Sequence, residues 1–283
     1  MITLTTIRVL TFSPTGTSQT IADGIVQELT SSLDMHIGQP TMAIEYIPLT
    51  TPKNIEGVAI PYSPNTLYIC ACPVYSGRIA PLAMERLKAL NLQGIEDYTD
   101  NPTPVVPIVV YGNRAYDDAL IELSDFFEAM DFIPIAGAAF IAEHSFSNES
   151  MPIAAHRPDQ EDMNKIKHFA QGIAQQLLSA TPLVSIASVL KGNRPYKTPS
   201  TSPALAPTVN HALCTECGAC VEVCPSGAIK SPFEVDATTC IKCCACIKQC
   251  PEEARTLDTP VRKKLFDLCQ VRQEPEIFLR PMI

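Results

Sequence analysis

Residues 214–225 read CTECGACVEVCP, and residues 240–251 read CIKCCACIKQCP. Each run has the form C-x2-C-x2-C-x3-C-P, and the first cysteines, Cys214 and Cys240, stand 26 positions apart. This is an established spacing for a pair of [4Fe–4S] clusters. Three closely spaced thiolates wrap one face of an iron–sulfur cube, and the fourth, at the proline turn, points toward the other cube. The crossed rule groups Cys214, Cys217, Cys220 and Cys250 around one cluster. It groups Cys240, Cys243, Cys246 and Cys224 around the second. The two halves are thereby tied into one small unit whose main stabiliser is the metal.

Nine of the twelve cysteines lie between residues 214 and 250. The chain starts without the basic residues and long apolar run of an export signal, so clustered cysteines favour metal over disulfides. Zinc sites use two separated C-x2-C pairs per ion, and two full quartets with trailing prolines fit that poorly. Cys244, between two expected ligands, reads as a small apolar filler, and Cys269 as a structural thiol. Cys70 and Cys72 fall on one face of a strand. Two small core residues are the favoured reading there over a redox pair.

A length of 283 residues suits two domains, and 46% hydrophobic residues supply a sizeable core. Only 18% of residues are charged, which argues against a disordered chain. The net charge of −9 makes nucleic acid and anionic membranes poor partners. Bound clusters add further negative charge, which suits a redox partner protein with a basic docking patch; a homodimer is a second arrangement to consider. No apolar run is long enough to span a bilayer, and a cytoplasmic protein is expected.

Upstream of the cysteines, β-branched apolar runs at 7–12, 42–47, 67–71, 105–110 and 133–141 alternate with helix-like stretches at 18–33, 81–90, 117–130 and 159–178. Thr17 or Ser18, Pro81 and Pro158-Asp159 mark three of the helix starts. Five strands alternating with helices predict an α/β fold with a parallel sheet covered on both faces. Residues 50–65 are proline-rich and leave room for a short, irregular second helix. From 181 the texture changes, with prolines at 182, 195, 199, 203 and 207 in a Ser/Thr-rich segment. Such spacing predicts a linker that sets the reach between domains, one that Tyr196 and the apolar run 183–190 can pack onto a neighbour. The expected division is a first domain over 1–180, a linker over 181–207, a small α+β cluster domain over 208–260, and a tail over 261–283.

In an open parallel sheet, ligands bind beyond the carboxyl ends of the strands, where the strand order reverses. The loop after the first strand carries Ser13, Thr15, Gly16, Thr17 and Ser18 and leads directly into a helix. Hydroxyls, backbone N–H groups and the helix dipole can solvate a phosphate without a lysine or arginine. The lysine of a nucleotide-binding P-loop is absent. An ordinary Ser/Thr helix cap would account for this loop equally simply. Two further loops raise the odds. Pro73, Val74, Tyr75, Ser76, Gly77 and Arg78 follow the third strand, and Gly112, Asn113, Arg114, Tyr116 and Asp117 follow the fourth. Each carries glycine, an aromatic ring and polar groups where a flat ring system would lie. Tyr75 or Tyr116 can stack on such a ring, whereas tryptophan is absent from the chain.

These residues resemble the flavodoxin family. The first loop is similar to its phosphate-binding loop, and the other two to the loops that hold the flavin ring. The wording PVYSGRIAP at 73–81 and YGNRAYDDAL at 111–120 is similar to flavodoxin–ferredoxin fusion proteins of anaerobic prokaryotes. The likeness continues through EHSFS at 143–147, RPDQED at 157–162, GNRPYK at 192–197 and the cysteine runs. It implies a flavodoxin-like five-stranded domain with non-covalent FMN, then a bacterial ferredoxin-like domain with two [4Fe–4S] clusters. Low-potential anaerobic electron transfer between FMN and the clusters is the implied function. The alternative is an FMN-dependent reductase fed by the clusters. It needs a proton donor, for which His144 after the fifth strand is the candidate, against a plain packing histidine. Arg78 and Arg114 are candidates to stabilise a reduced flavin, against ordinary salt bridging.

Overall fold

The computed structural model describes residues 4–37, 42–51, 59–61, 65–93, 103–199, 205–230 and 232–280. The chain opens with β1 (Thr6–Thr11), α1 (Thr17–Ile37) and β2 (Ala43–Pro48). A short β3 (Ala59–Pro61) precedes β4 (Thr66–Tyr75), β5 (Arg78–Ile79), α2 (Pro81–Ala89) and β6 (Asn91–Gln93). Then come β7 (Thr103–Tyr111), α3 (Ala119–Glu128), β8 (Phe132–Pro134), β9 (Ala136–Ile141) and α4 (Gln160–Leu178). The main sheet runs β2-β1-β4-β7-β9, with every neighbouring pair parallel. Counted along the chain this is the order 2-1-3-4-5, the flavodoxin-like doubly wound arrangement, whose switch point lies between β1 and β4.

Alternation along the strands accounts for the two-faced core. Ile7, Val9, Leu67, Ile69 and Ala71 point to the face covered by Ile21, Ile25 and Leu29 of α1 and by Ile166, Phe169 and Ile173 of α4. Leu10, Tyr68, Cys70, Cys72, Val105 and Val109 point to the face covered by Ala83 and Leu87 of α2 and by Leu120, Leu123 and Phe127 of α3. The apolar positions of α1 recur every fourth residue, as a helix resting on a sheet requires. At the start of α4, Asp159 accepts hydrogen bonds from the Glu161 and Asp162 amides, and Asp162 answers through the Asp159 amide.

Two expectations change. Pro73, Val74 and Tyr75 are not loop residues: β4 continues through them and turns back at Ser76 and Gly77 into β5. Both turn residues have positive φ, 55° and 81°, as a two-residue hairpin needs. The second helix expected within 50–65 falls largely outside the described residues, and 59–61 form a strand parallel to β6.

Downstream, residues 182–197 lie on the first domain. Ile186 and Leu190 are buried, and the Ile186 amide bonds Pro134 O at 2.8 Å. Arg194 and Tyr196 both engage Asp125. Asp118 accepts from the Asn193 and Lys197 amides at 2.8 and 2.6 Å. The cluster module contains β10 (Thr208–Val209), α5 (Ala219–Glu222), β11 (Ile229–Lys230), β12 (Glu234–Val235), α6 (Ala245–Lys248) and β13 (Arg255–Thr256). β10 pairs with β13 and β11 with β12, both antiparallel. The sequence repeat persists in the backbone: positive φ occurs at Glu216 and Lys242, at Gly218 and Cys244, and at Gly227 and Glu253. Cys244 thus stands at the left-handed cap of α6, where its repeat mate is glycine.

The segment after residue 260 returns to the first domain. α7 (Pro260–Leu268) leads to β14 (Glu276–Leu279), which pairs antiparallel with β9 as a sixth strand. The five parallel strands expected from the sequence are therefore joined by an edge strand that the sequence left in a tail.

Candidate functional site

In the module, Cys214, Cys217, Cys220 and Cys250 line one cavity with about 320 Å³ of atom-free space, its open mouth included. This is the quartet that the crossed spacing groups. Among the described residues, no three His, Cys, Asp or Glu side chains close around a single ion. The four thiols instead line a space. Arg255 also lines it, is 3% exposed, and donates through Nη2 to Phe233 O. Its Nη1 is buried with no partner. An anionic iron–sulfur cluster fits this donor set: four thiols and an unsatisfied guanidinium N–H.

The second quartet is more enclosed. Cys243 and Cys246 are buried, and Cys240 and Cys224 partly so. Burial pushes the Cys243 thiol up to about 12, and Cys246, Cys224 and Cys240 add to the rise, so the four lie within electrostatic reach. Backbone amides point at two of the sulfurs, Ala228 N at Cys224 Sγ (3.3 Å) and Lys242 N at Cys240 Sγ (3.4 Å). Such donors favour the thiolate that a cluster needs. Cys244 is buried, and its thiol faces Lys242 O at 3.7 Å.

This second run sits against the first domain, at the carboxyl end of β4. Ile241 packs into the same apolar cluster as Val74 and Tyr75. Burial pushes the Tyr75 phenol well above its ordinary value, and the Cys243, Cys244 and Cys240 thiols add to the shift. Three polar links tie the module and the helix that follows it to the first domain. Arg86 of α2, itself buried, donates to Leu49 O, Thr50 O and Pro225 O at 2.5, 2.6 and 2.5 Å. Lys248 pairs with Glu143 at 2.5 Å, and Arg262 Nε donates to Phe146 O at 2.8 Å.

The three expected flavin loops all lie at the carboxyl ends of adjacent strands β1, β4 and β7. In the first, Ser13 Oγ accepts from the Gln19 amide (3.0 Å), and the Ser13 amide donates to Thr50 Oγ1 (2.7 Å). Gly16, at φ 85°, has no atom within 4 Å of where a Cβ would stand. Ser18 Oγ is buried without a partner. The first amides of α1 have no intrahelical acceptor. An open glycine, an orphaned hydroxyl and helix-end amides fit a phosphate.

The side chains expected around the ring are largely engaged elsewhere. Arg78 forms a fork with both carboxylate oxygens of Glu122, at 2.8 and 2.6 Å, and lies over the Tyr196 ring. Arg114 pairs with Asp117, which also takes Lys197. Tyr116 packs beside Tyr111 and donates to Glu276 at 3.0 Å. Asn113 is buried and serves the returning chain: Nδ2 donates to Cys269 O (3.0 Å) and Val271 O (2.9 Å), and Oδ1 accepts from the Gln273 amide (2.8 Å). A Cβ on Gly112 would meet the His144 ring at 2.2 Å, and one on Gly77 would meet Asp117 at the same distance. Of the two candidate stacking rings, Tyr75 faces the cysteine run and Tyr116 belongs to the core. His144 Nδ1 accepts from the Phe146 amide at 2.9 Å. Burial, with Lys248 and Arg114 nearby, lowers its pKa to about 4, so near pH 7 it is the neutral imidazole with its one proton on Nε2. Cys70 and Cys72 are fully buried free thiols, 4.0 Å apart.

Sequence reasoning missed Arg86 and Arg255. Arg86 had a faint signal, an arginine between the core positions Ala83 and Leu87 of a helix. Arg255 had a clearer one, because its mate in the 26-residue repeat is the buried Ile229.

Residues 207–230 match the 4Fe-4S binding domain family. No curated protein sequence matches the chain. Among solved structures, a flavodoxin from the domain Archaea is similar over 62% of this chain and 99% of its own, at 13% identity and a TM-score of 0.40. The two-electron reduced flavodoxin of Megasphaera elsdenii is similar over 58% and 98%, at 11% identity and a TM-score of 0.35. The rubredoxin oxygen:oxidoreductase of the anaerobe Desulfovibrio gigas is similar over 62% of this chain and 37% of its own, at 11% identity and a TM-score of 0.40. At such values the strand order itself carries the fold. That order, together with the paired cysteine runs and the 4Fe-4S domain match, makes the chain a flavodoxin-like α/β domain joined to a ferredoxin-like 4Fe-4S module.

Proposed function

We propose that the chain is an electron carrier holding FMN at the β1/β4 switch point and two [4Fe–4S] clusters in the module, with the second-quartet cluster next to the flavin. The carrying observation is the contact of the second cysteine run with Val74 and Tyr75 at the end of β4. Ser13, Thr15, Gly16, Thr17 and Ser18 would hold the phosphate. The backbone from Pro73 to Gly77, with the Gly112 turn, would hold the ring. Bound FMN supplies exchange of one or two electrons, and each cluster exchanges one. The chain's own residues fix the distances: Arg86, Lys248 and Arg262 keep the module seated, so the transfer needs no second copy of the chain. The first quartet opens outward, with Cys217 exposed, Glu216 and Glu252 on the cavity wall, and Leu213 and Val221 exposed nearby. That face suits a redox partner with a basic rim. A His144 with its pKa lowered to about 4 is a poor general acid near pH 7, which favours a carrier over a reductase acting on its own substrate.

The test titrates apoprotein with FMN and with riboflavin. Ser18→Ala is expected to weaken FMN about tenfold, the size of one phosphate hydrogen bond, and to leave riboflavin binding unchanged. Equal effects on both ligands, or on neither, would reject the phosphate site. Iron and sulfide analysis with EPR of the reduced protein counts the clusters, two being the expected number.

A further inference from the structure

We propose that Arg255 sets the two clusters apart in potential, raising that of the cluster held by Cys214, Cys217, Cys220 and Cys250. The inference rests on the two-cluster reading above and concerns a residue outside both cysteine runs. The repeat makes the case. Residues 229 and 255 are equivalent positions, each the first residue of a short strand five residues after the last cysteine of its run. Ile229 is an ordinary core residue, 3% exposed. Arg255 is equally buried but is a guanidinium.

A buried cation without a counter-charge is costly, and a buried N–H without an acceptor adds to that cost. Among the described residues, Arg255 has the Phe233 carbonyl on Nη2 and nothing on Nη1, and the residue forms part of the first-quartet cavity wall. The anionic cluster would resolve both deficits, giving the charge a partner and the N–H an acceptor. The two carboxylates on the same cavity, Glu216 and Glu252, are exposed to water and screened. Arg255 is not, so its field dominates at the cluster. Reduction adds one negative charge, and a fixed positive charge beside it favours that step. The second quartet has isoleucine at the equivalent position. Cys246 of that quartet also lies within the field of Arg255, so a shift of the same sign is expected there; the separation follows from Arg255 lining the first-quartet cavity with a free N–H. The outer cluster is then the better electron acceptor, and electrons leaving the flavin side run toward the partner-facing end.

The experiment is an anaerobic EPR-monitored titration of the full holoprotein, wild type against Arg255→Gln, Arg255→Ile and Arg255→Lys, with iron and sulfide counted in each. Gln and Ile are expected to make one of the two clusters about tenfold harder to reduce, ~59 mV for a one-electron couple, and to shift the other less. The Ile variant, which restores the symmetry of the repeat, should bring the two midpoints together, and Lys should keep most of the separation. Fully loaded Gln and Ile variants with wild-type midpoints would overturn the proposal. Should the variants fail to load, the wild type itself decides. Pulsed EPR of the reduced protein labelled with [15N]arginine should show a guanidinium nitrogen coupled to a cluster, and its absence would overturn the proposal. Wild-type protein lacking two iron–sulfur signals would instead reject the two-cluster reading.

Discussion

Replacing Asn113 with alanine separates two roles for a residue that the sequence places in the flavin pocket and the structure gives to the returning chain. The side chain holds Cys269 O, Val271 O and the Gln273 amide. The contact with Cys269 O is fully buried, so losing its donor costs about 2 kcal/mol, near the middle of the range for an unsatisfied group. The other two lie near exposed residues where water can replace the amide, and losing them costs about 0.5–1 kcal/mol each. Asn113 also has φ 65°. Asparagine tolerates that conformation better than alanine, which adds about 1 kcal/mol. The total is about 4 kcal/mol, a large fraction of a domain's stability. The cost falls on the segment that leads into β14. Hydrogen exchange of the β14 amides in the holoprotein should therefore accelerate by roughly a thousandfold, at 1.4 kcal/mol per decade. The α1 amides should be unaffected, and FMN affinity should change by less than about threefold. The reasoning is refuted if β14 stays protected while FMN binding weakens, because the side chain would then serve the flavin and not the strap.

Under the proposed crossed ligation, Cys250→Ser and Cys224→Ser would each remove a ligand from the cluster built mainly on the other run. Each should lower iron content by about half or convert one cluster signal, with the pair of signals affected in opposite order. Arg86→Met strips the donors from Leu49 O, Thr50 O and Pro225 O and should slow flavin-to-cluster electron exchange by about tenfold in flash photolysis, with FMN and iron contents unchanged. An unchanged rate would mean that Arg86 does not seat the module. For His144 the folded pKa of about 4 lies below its ordinary 6.5, so the unfolded chain binds the extra proton between those values. Stability should fall as pH drops from about 6.5 toward 4, and His144→Gln should flatten that part of the pH profile measured by urea unfolding. A wild-type slope that survives the substitution would assign the titration to another group.

The strands were legible because a short β-branched run with both faces apolar suits little besides a strand buried inside a sheet. Ile7, Val9 and Leu10, or Leu67 through Cys72, announce a central strand by themselves. The cysteine spacing was legible because cluster ligation demands fixed short intervals. What stayed hidden depended on contacts distant in sequence. Glu276–Leu279 is four residues of ordinary composition, and only the exposed edge of β9 makes it a strand. Tyr116, Asn113 and Arg78 look like pocket residues because polar and aromatic side chains near glycine suit ligands. They also suit loop-to-loop fastening, and local sequence does not distinguish the two uses. The second helix expected near 50–65 had no periodic pattern behind it and rested on the usual order of elements alone.

The sixth strand has a consequence for how the protein is made. Until residues 276–279 emerge, β9 is the edge of the sheet, and every residue of its AGAAFI sequence is buried in the finished fold. A chain cut before the module would leave that apolar edge bare, an invitation to pair with another copy. During synthesis the first domain must wait for more than a hundred residues, including the whole metal-binding module, before its sheet is closed. Contacts of such long sequence separation form late. Closure of the sheet by β14 therefore depends on a segment that follows the whole cysteine-bearing module in the chain.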